Sequence, residues 1–220
     1  MDKFTGRALV TSGNRKVLFE DPAWDDRFDV LMELTTRTKL IYQLTGTNVH
    51  EPRLKEEMNR RLAARGVTVS RPRGTIKAAS SERFLETAAE RYEAAYLMAL
   101  HFGARGAGEH AEVETNYARA VDKRIEVYSK YRSDVAPCGG EHRITFETYC
   151  LLINGIKAGD IEVRHCGTCK TKHPVSRLHI GPAACPACVT QDLRVSEAES
   201  EIGARIAAFR ASRVNMRRVG

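Results

Sequence analysis

Four of the six cysteines in this 220-residue sequence form two CxxC pairs, Cys166 with Cys169 and Cys185 with Cys188. Each pair can place two thiolates at the tip of a tight turn, and two pairs separated by fifteen residues are typical of a tetrahedral zinc site. Four thiolates close the coordination sphere and leave no position for an activated water. The spacing therefore predicts one structural Zn²⁺ per chain.

Other ligands and a disulfide framework are the alternatives to this site. His165, His173 and His179 lie in the same span and could replace a thiolate, but their spacing matches no paired pattern, so we expect them on the surface of a zinc ribbon. The chain opens MDKFTGRALV, with no apolar leader region and no cleavage site, which predicts a reducing, cytoplasmic location. Disulfides are rare in such a compartment, so a disulfide framework fits poorly. Of the two remaining cysteines, Cys138 is predicted in a turn and Cys150 in the core.

The charge of the chain is basic and unevenly distributed. The net charge is +7, which allows an acidic partner such as nucleic acid. Glu51 to Lys77 has a balance of +5, Glu201 to Gly220 has +4, and Val163 to Gln191 has four basic residues and no acid. Glu82 to Glu126, by contrast, has a balance of −3. Ordinary solvated helix faces could explain any one of these segments.

The N-terminal part of the sequence has the pattern of a helix-turn-helix. Asp25 to Thr45 is predicted to be one helix ended by Gly46, and Thr47 to Glu51 a short connection. A second helix, Pro52 to Ala64, has apolar residues at intervals of four and a basic remainder. Such a helix could enter the major groove of DNA, although any two adjacent amphipathic helices look similar.

The candidate DNA contacts lie on this second helix and on the loop that follows it. Arginine pairs with guanine and asparagine with adenine in the major groove, while basic loops can follow phosphates or enter the minor groove. The loop GVTVSRPRGTIKAA, from Gly66 to Ala79, could equally be a solvated linker. The candidates are Arg53, Lys55, Asn59, Arg60 and Arg61 on the helix, and Arg71, Arg73 and Lys77 on the loop.

The remaining elements are three helices and the short strands of a zinc ribbon. Periodicity predicts the helices from a cap at Ser80 or Ser81 to Gly103, from Glu109 to Tyr131, and from Ile144 to Lys157. The strands are predicted at Ile161 to Arg164 and Pro174 to Ile180. Tyrosines at helical spacing are expected in the core. No run of 18 apolar residues is present, so no membrane span is predicted.

The order of these parts resembles the FlhC family, the larger subunits of the bacterial flagellar master regulator. The resemblance covers roughly Leu31 to Cys188 and is strongest in SSERFLETAAERYEAAYLMALHF and in ITFETYCLLINGIKAGDIEVRHCGTCKTKHPVSRLHIGPAACPAC. The sequence departs from the family in the arm Met1 to Trp24 and from Ser196 onward.

The resemblance implies a mainly α protein with a helix-turn-helix-like N-terminal part and a C-terminal four-cysteine zinc-ribbon lobe. The corresponding division is an arm at residues 1–24, a helical DNA-binding and partner-binding domain at 25–160, a zinc-ribbon lobe at 161–191 and a basic segment at 192–220. It implies that Cys166, Cys169, Cys185 and Cys188 hold zinc.

The same resemblance implies a function in transcription. Family members are activators that join a small helical FlhD subunit and bind promoter DNA, and relatives on mobile elements activate transfer genes. We therefore expect an FlhD-like partner, contact with RNA polymerase, and flagellar or mobile-element target genes. The acidic, tyrosine-bearing middle helices are the predicted partner surface.

Two other classes of function are alternatives to this one. A zinc-ribbon protein that binds RNA or a ribosomal surface would share the basic composition and the cysteine pairs. An enzyme is not expected, because the sequence has no GxSxG motif, no P-loop and no open metal site.

Overall fold

A computed structural model of the chain describes residues 18–67, 85–103, 116–135, 142–179, 184–192 and 200–205. The fold is mostly helical, as predicted. Its elements are α1 (Pro22–Leu34), α2 (Thr38–Thr45), α3 (Glu51–Ala64), α4 (Ala88–Phe102), α5 (Tyr117–Val135), α6 (Phe146–Ala158), β1 (Ile161–His165) and β2 (Lys172–Ser176). Residues 186–192 and 200–205 are also helical.

The first predicted helix is divided in two, so the prediction of one helix from Asp25 to Thr45 is wrong. Thr35 has extended backbone angles (φ −150°, ψ 142°) and ends α1. Its hydroxyl donates to Oε1 of Glu147 at 2.7 Å and accepts the backbone N–H of Arg37 at 3.1 Å. Because a threonine that bonds locally and to another helix competes with the helical ladder, the chain turns here. The helix before the predicted turn is therefore only α2.

α3 has the narrow apolar stripe that its sequence indicates. Leu54, Met58 and Leu62 are buried, and Pro52 lies in the first turn, where its missing N–H removes no helical hydrogen bond. α2 ends at Gly46, which has the left-handed φ of 60°. A helix, a short connection and a second helix are thus present, while a helix-turn-helix that binds DNA stays a prediction.

α4 begins later than the predicted caps Ser80 and Ser81, which lie outside the described residues. Its N-cap is Thr87, whose side chain accepts the N–H of Glu90 while the Glu90 carboxylate accepts the N–H of Thr87. This capping box satisfies two N–H groups that the first turn leaves unpaired. The helix ends at Gly103, as predicted.

One core joins the helices to the hairpin. The largest fully buried side chains include Phe28, Leu31, Ile41, Leu54, Leu97, Tyr131, Phe146 and Tyr149. Tyr128 and Cys150 are also buried, so the predictions that the tyrosines at helical spacing and Cys150 belong to the core are confirmed for these residues. Leu18 and Trp24, from the predicted arm, pack into the same core. Ile161 of β1 does so as well.

A buried carboxylate network fixes α4 against α5 and the start of α6. Glu93 accepts the Tyr131 hydroxyl and the backbone N–H of Arg143, and it pairs with the Arg143 guanidinium at 2.6 Å. The Tyr131 hydroxyl in turn accepts the N–H of Ile144 at 3.2 Å. A buried carboxylate is tolerated because several donors share its charge.

The junction between α6 and the hairpin is short. α6 ends at Ala158, and only Gly159 and Asp160 precede β1. Gly159 has a φ of 78°, and the N–H of Asp160 donates to Gly155 O at 2.9 Å, which is the pairing of a glycine helix stop. The C=O of Asp160 accepts the N–H of Arg177 at 3.0 Å. The hairpin is therefore bonded to the end of α6.

Among the described residues, no helix is long and apolar enough to cross a membrane.

Candidate metal centre

The first cysteine pair lies in the turn of the β1–β2 hairpin. The strands are antiparallel, with His165 opposite Lys172, so that Cys166 and Cys169 are in the connecting loop. The N–H of Cys166 donates to Thr171 O at 3.0 Å, and the N–H of Lys170 donates to Cys166 O at 3.1 Å. Lys170 has a φ of 61° and completes the tight turn. The sequence therefore places both thiols on one side of a compact loop.

The second pair lies at the start of a short helix. Cys185 directly precedes the helical residues 186–192, and Cys188 lies in their first turn. The N–H of Val189 donates to Cys185 O at 3.1 Å, and Pro186 suits the first helical position. A zinc ribbon would carry this pair on a second hairpin, and the described part of the chain has a helical turn there instead. The strand predicted at Ile161 to Arg164 is confirmed by β1. The strand predicted at Pro174 to Ile180 is only partly right, because β2 begins earlier, at Lys172, and ends at Ser176, where the chain turns. The full ribbon is not confirmed.

The four thiols converge on one point. All four Sγ atoms lie within 4.8 Å of one another. The Sγ atoms of Cys166 and Cys188 are 3.8 Å apart, and those of Cys169 and Cys185 are 3.5 Å apart. A tetrahedral ion with metal–sulfur bonds of about 2.3 Å places its sulfurs about 3.8 Å apart, whereas a disulfide requires about 2.05 Å. The cysteines are free thiols in an arrangement that could hold a metal ion.

The environment divides the four thiols into two kinds. A hydrogen bond between the Cys169 thiol and the Thr171 hydroxyl, together with one from the Thr171 N–H, lowers the pKa of Cys169 to about 6. The N–H groups of Cys169 and Thr168 lower the pKa of Cys166. The adjacent Cys169 and Cys166 sulfurs raise the pKa of Cys188 to about 12, and burial raises that of Cys185. Because negative sulfurs repel one another, a bound cation is what would make all four thiolates stable together.

The three histidines of this span take no part in the thiol cluster. Among the described residues, the only group of metal-binding side chains that converges is Cys166, Cys169, Cys185 and Cys188. His165 is exposed, as expected. His173 is only 4% exposed, so its predicted surface position is wrong. Its strand lies against α4, which covers a face that the sequence pattern left open.

The predicted DNA-contacting residues on α3 differ in what they contact. Arg53 pairs with Glu20 at 2.8 Å, and its Cζ lies 5.1 Å from the centroid of the Phe19 ring. Arg60 pairs with Glu57 at 2.6 Å. Lys55 and Asn59 are exposed. Arg71, Arg73 and Lys77 lie outside the described residues.

Arg61 is held inside the protein. It is 14% exposed and pairs with Asp25 at 2.6 Å, Asp29 at 2.9 Å and Glu57 at 2.7 Å. Its Cζ also lies 5.1 Å from the centroid of the Phe28 ring. Arg60 and Arg61 together lower the pKa of Glu57 to about 2. The guanidinium thus joins α1 to α3, and we assign Arg61 a structural role.

The sequence contains a signal for this contact. Asp25, Asp29 and Glu33 recur at intervals of four on α1, and Arg61 and Arg65 have the same spacing on α3. Arg65 pairs with Asp29 at 2.7 Å and with Glu33 at 3.3 Å. Matching acidic and basic rows on two helices indicate a helix pair.

A scan of the sequence against protein-family models found no match, and a search of curated proteins found none either.

Proposed function

We propose that this protein is a DNA-binding transcriptional activator subunit of the FlhC type, with one structural Zn²⁺ held by Cys166, Cys169, Cys185 and Cys188. The observation that carries the proposal is a closed four-thiol cluster that joins the loop of a basic hairpin to the helical turn at residues 186–192. Such a cluster has no open coordination position, so it supports a binding protein rather than an enzyme.

Zinc is the metal that best fits the donor set. Four sulfurs separated by 3.5 and 3.8 Å across the two pairs are compatible with a tetrahedral ion that has no preferred d-electron geometry. Bound there, Zn²⁺ would join the hairpin loop to the helical turn at residues 186–192. The chain itself supplies the turn and the N–H groups that hold the thiols in place.

Unpaired positive charge on the hairpin supports contact with a polyanion. Within the part of the chain that the structure describes, Lys170, Lys172 and Arg177 have no carboxylate partner. Arg164, on the same hairpin, pairs with Glu162 at 3.0 Å. Basic side chains gathered on one small lobe can neutralise backbone phosphates and release counterions.

α3 offers a second basic surface. Lys55 is exposed, and the ion pairs of Arg53 and Arg60 lie at the surface. Exposed ion pairs contribute only about 0–1 kcal/mol, so a phosphate can replace the carboxylate at small cost. Arg61 is excluded from this surface because three carboxylates hold it. Lys55, Asn59, Arg53 and Arg60 remain proposed contacts.

A groove between α4 and the thiol lobe is the proposed surface for an FlhD-like helical subunit. Its volume is about 400 Å³, and Tyr92, Tyr96, Met98 and Phe102 line it. Tyr92 is 44% exposed, which is unusual for a large side chain on a helix that otherwise packs into the core. An apolar helix face could cover this ring. The activator would then contact RNA polymerase in the cytoplasm at flagellar or mobile-element promoters.

Footprinting tests the proposed function. The full chain, with a small helical protein encoded beside it, is expected to protect a defined site in upstream DNA of the same genome. With about six phosphate contacts, affinity should fall roughly 10³-fold between 50 and 200 mM salt. Replacing Lys170 and Arg177 with glutamine should reduce this salt dependence, while Lys130→Gln on α5 serves as the matched control.

Two results would contradict the proposal. Equal affinity for all duplex sequences at physiological salt would remove the regulatory role. Purified protein that retains RNA, and releases it only after nuclease treatment, would instead support the alternative of an RNA-binding or ribosome-binding protein.

A further inference from the structure

His173 is a buried imidazole with no hydrogen-bond partner. It lies in β2, is 4% exposed, and neither Nδ1 nor Nε2 has a partner among the described residues. A neutral imidazole has one donor and one acceptor, and buried side chains of this kind are nearly always bonded to protein, water or a ligand. The position of His173 therefore requires an explanation that the packing does not give.

A cavity adjoins this side chain. It has a volume of about 260 Å³ and lies between the start of α4 and the hairpin, lined among others by Leu85, Arg91, Ile161, His173, Val175 and His179. Arg91 also has a buried Nε without a partner in the described part of the chain. Arg91 on α4 and His173 on β2 therefore line the same cavity, and each has a buried nitrogen without a hydrogen-bond partner in the described part of the chain.

The hydrogen-bond donors and the geometry favour an anion over a cation. Glu86, His173 and His179 line the cavity, but they form no converging set of metal ligands, since in the described residues only the four cysteines do so. Arg91 can only donate hydrogen bonds, and His173 can donate one more. Glu86 is the acidic residue of the lining and opposes an anion. A water occupies about 30 Å³ in the liquid, so the cavity has room for a phosphate or a small carboxylate.

We propose that this cavity is a binding site for a small oxyanion, with Arg91 and His173 as its hydrogen-bond donors. Nε of Arg91 and both ring nitrogens of His173 are buried without a partner in the described part of the chain, so we expect these side chains to turn toward the bound ion. A ligand bridging α4 and β2 would connect the helical core to the lobe that carries the thiols. We expect a soluble effector to bind here, because the lining shares no residue with the DNA contacts proposed above.

The test uses the full, zinc-loaded chain without DNA. Isothermal titration calorimetry with inorganic phosphate at constant ionic strength is expected to show one site per chain. Titrations with sulfate and with acetate distinguish a phosphate-like from a carboxylate ligand. NMR of ¹⁵N-labelled imidazole rings should show the His173 resonances moving with the same Kd, and this measurement needs no variant.

Three variants make the test specific. Arg91→Gln is expected to weaken binding about tenfold or more, because a charge-assisted hydrogen bond is lost. Glu86→Gln is expected to tighten it, since a repulsive charge is removed. Lys130→Gln, on α5 and outside the lining of the cavity, should leave Kd unchanged. Absence of binding at millimolar phosphate, a stationary His173 signal, or equal losses in Arg91→Gln and Lys130→Gln would overturn the proposal.

Discussion

The ring of Tyr117 lies directly against Gly46, so that a Cβ atom added to Gly46 would be 2.6 Å from Cζ of Tyr117. Gly46 ends α2, and Tyr117 is the first residue of α5. The contact sets the distance between two helices that are far apart in sequence. It requires glycine for two reasons, the close approach and the left-handed backbone.

Gly46→Ala is expected to lower the free energy of unfolding by about 2–4 kcal/mol, combining overpacking with the cost of a positive φ. Gly66→Ala is the matched control, because Gly66 has a φ of 69° and no atom within 4 Å of the added Cβ. It should cost only the backbone contribution, about 1 kcal/mol. Urea denaturation measures both. Equal losses of stability in the two variants would mean that the close contact with Tyr117 adds nothing to the cost of replacing Gly46.

Arg61→Met is expected to destabilise the protein by about 1–3 kcal/mol, because Asp25 loses its ion pair while Asp29 keeps Arg65 and Glu57 keeps Arg60. The partial exposure of the aspartates makes this cost smaller than that of breaking a fully buried pair. Arg60→Met is the matched control, because that side chain is 67% exposed and pairs with one carboxylate. It should leave the stability nearly unchanged, because an exposed ion pair is screened by solvent. Denaturation of the two variants beside the wild type gives the comparison. If Arg61→Met instead left stability unchanged and reduced DNA affinity, the structural role assigned here would be wrong.

Removal of one thiol should release the metal. Elemental analysis of the purified wild type is expected to give one zinc per chain, and Cys166→Ser should lose the zinc and give insoluble protein, because structural zinc contributes about 10–16 kcal/mol in small domains. His165→Asn, next to the ligand, should retain one zinc. A Cys166→Ser/Cys185→Ser protein that is soluble and binds DNA would contradict the structural role.

Acid should destabilise the fold through His101. Burial, with the charges of Lys123, Arg124 and Lys157, lowers the pKa of His101 to about 3, and its Nδ1 shares a 2.7 Å hydrogen bond with the Tyr149 hydroxyl. An unfolded histidine takes up a proton near pH 6.5. Between these values the unfolded state binds more protons, so the stability is fully present above about pH 6.5 and falls as the pH decreases, by up to about 1.4 kcal/mol per unit.

Denaturation at pH 7, 6 and 5 measures this slope. His101→Gln is expected to reduce it, whereas His50→Gln, at an exposed position, should retain the wild-type slope. The comparison between variants cancels the contributions of the carboxylates and of the metal. An identical slope in wild type and His101→Gln would show that His101 is protonated without cost in the folded protein.

The elements that the sequence predicts best are those defined by local chemistry. Pro52 with its stripe at intervals of four, the glycine stop at Gly103 and the two cysteine pairs all carry their signal within a few residues. The break at Thr35 does not, because the carboxylate that holds its hydroxyl is that of Glu147, far along the chain. The apolar residues on both sides of Thr35 have helical spacing, so the sequence alone predicts one continuous helix.

The site was predictable only in part for a similar reason. CxxC spacing predicts that four sulfurs come together, but it does not say whether the second pair begins a helix or a hairpin. The contacts of Arg61 are indicated only when the rows of α1 and α3 are compared with each other, and no spacing within β2 reveals that α4 buries His173. The basic composition shows how many positive side chains the protein has, but tertiary contacts decide how many of them are free to bind a polyanion.

Only two residues connect α6 to β1, so the position of the hairpin relative to the helix is tightly restricted. The N–H groups of Gly159 and Asp160 are both hydrogen-bonded to the last turn of α6, so the connection is not a flexible hinge. A rotation of the hairpin would therefore also move the C-terminal end of α6. An inserted residue at this joint would swing the whole cysteine-bearing lobe about the helix axis. Natural variation in length is therefore expected to be tolerated elsewhere along the chain and to be selected against at this joint.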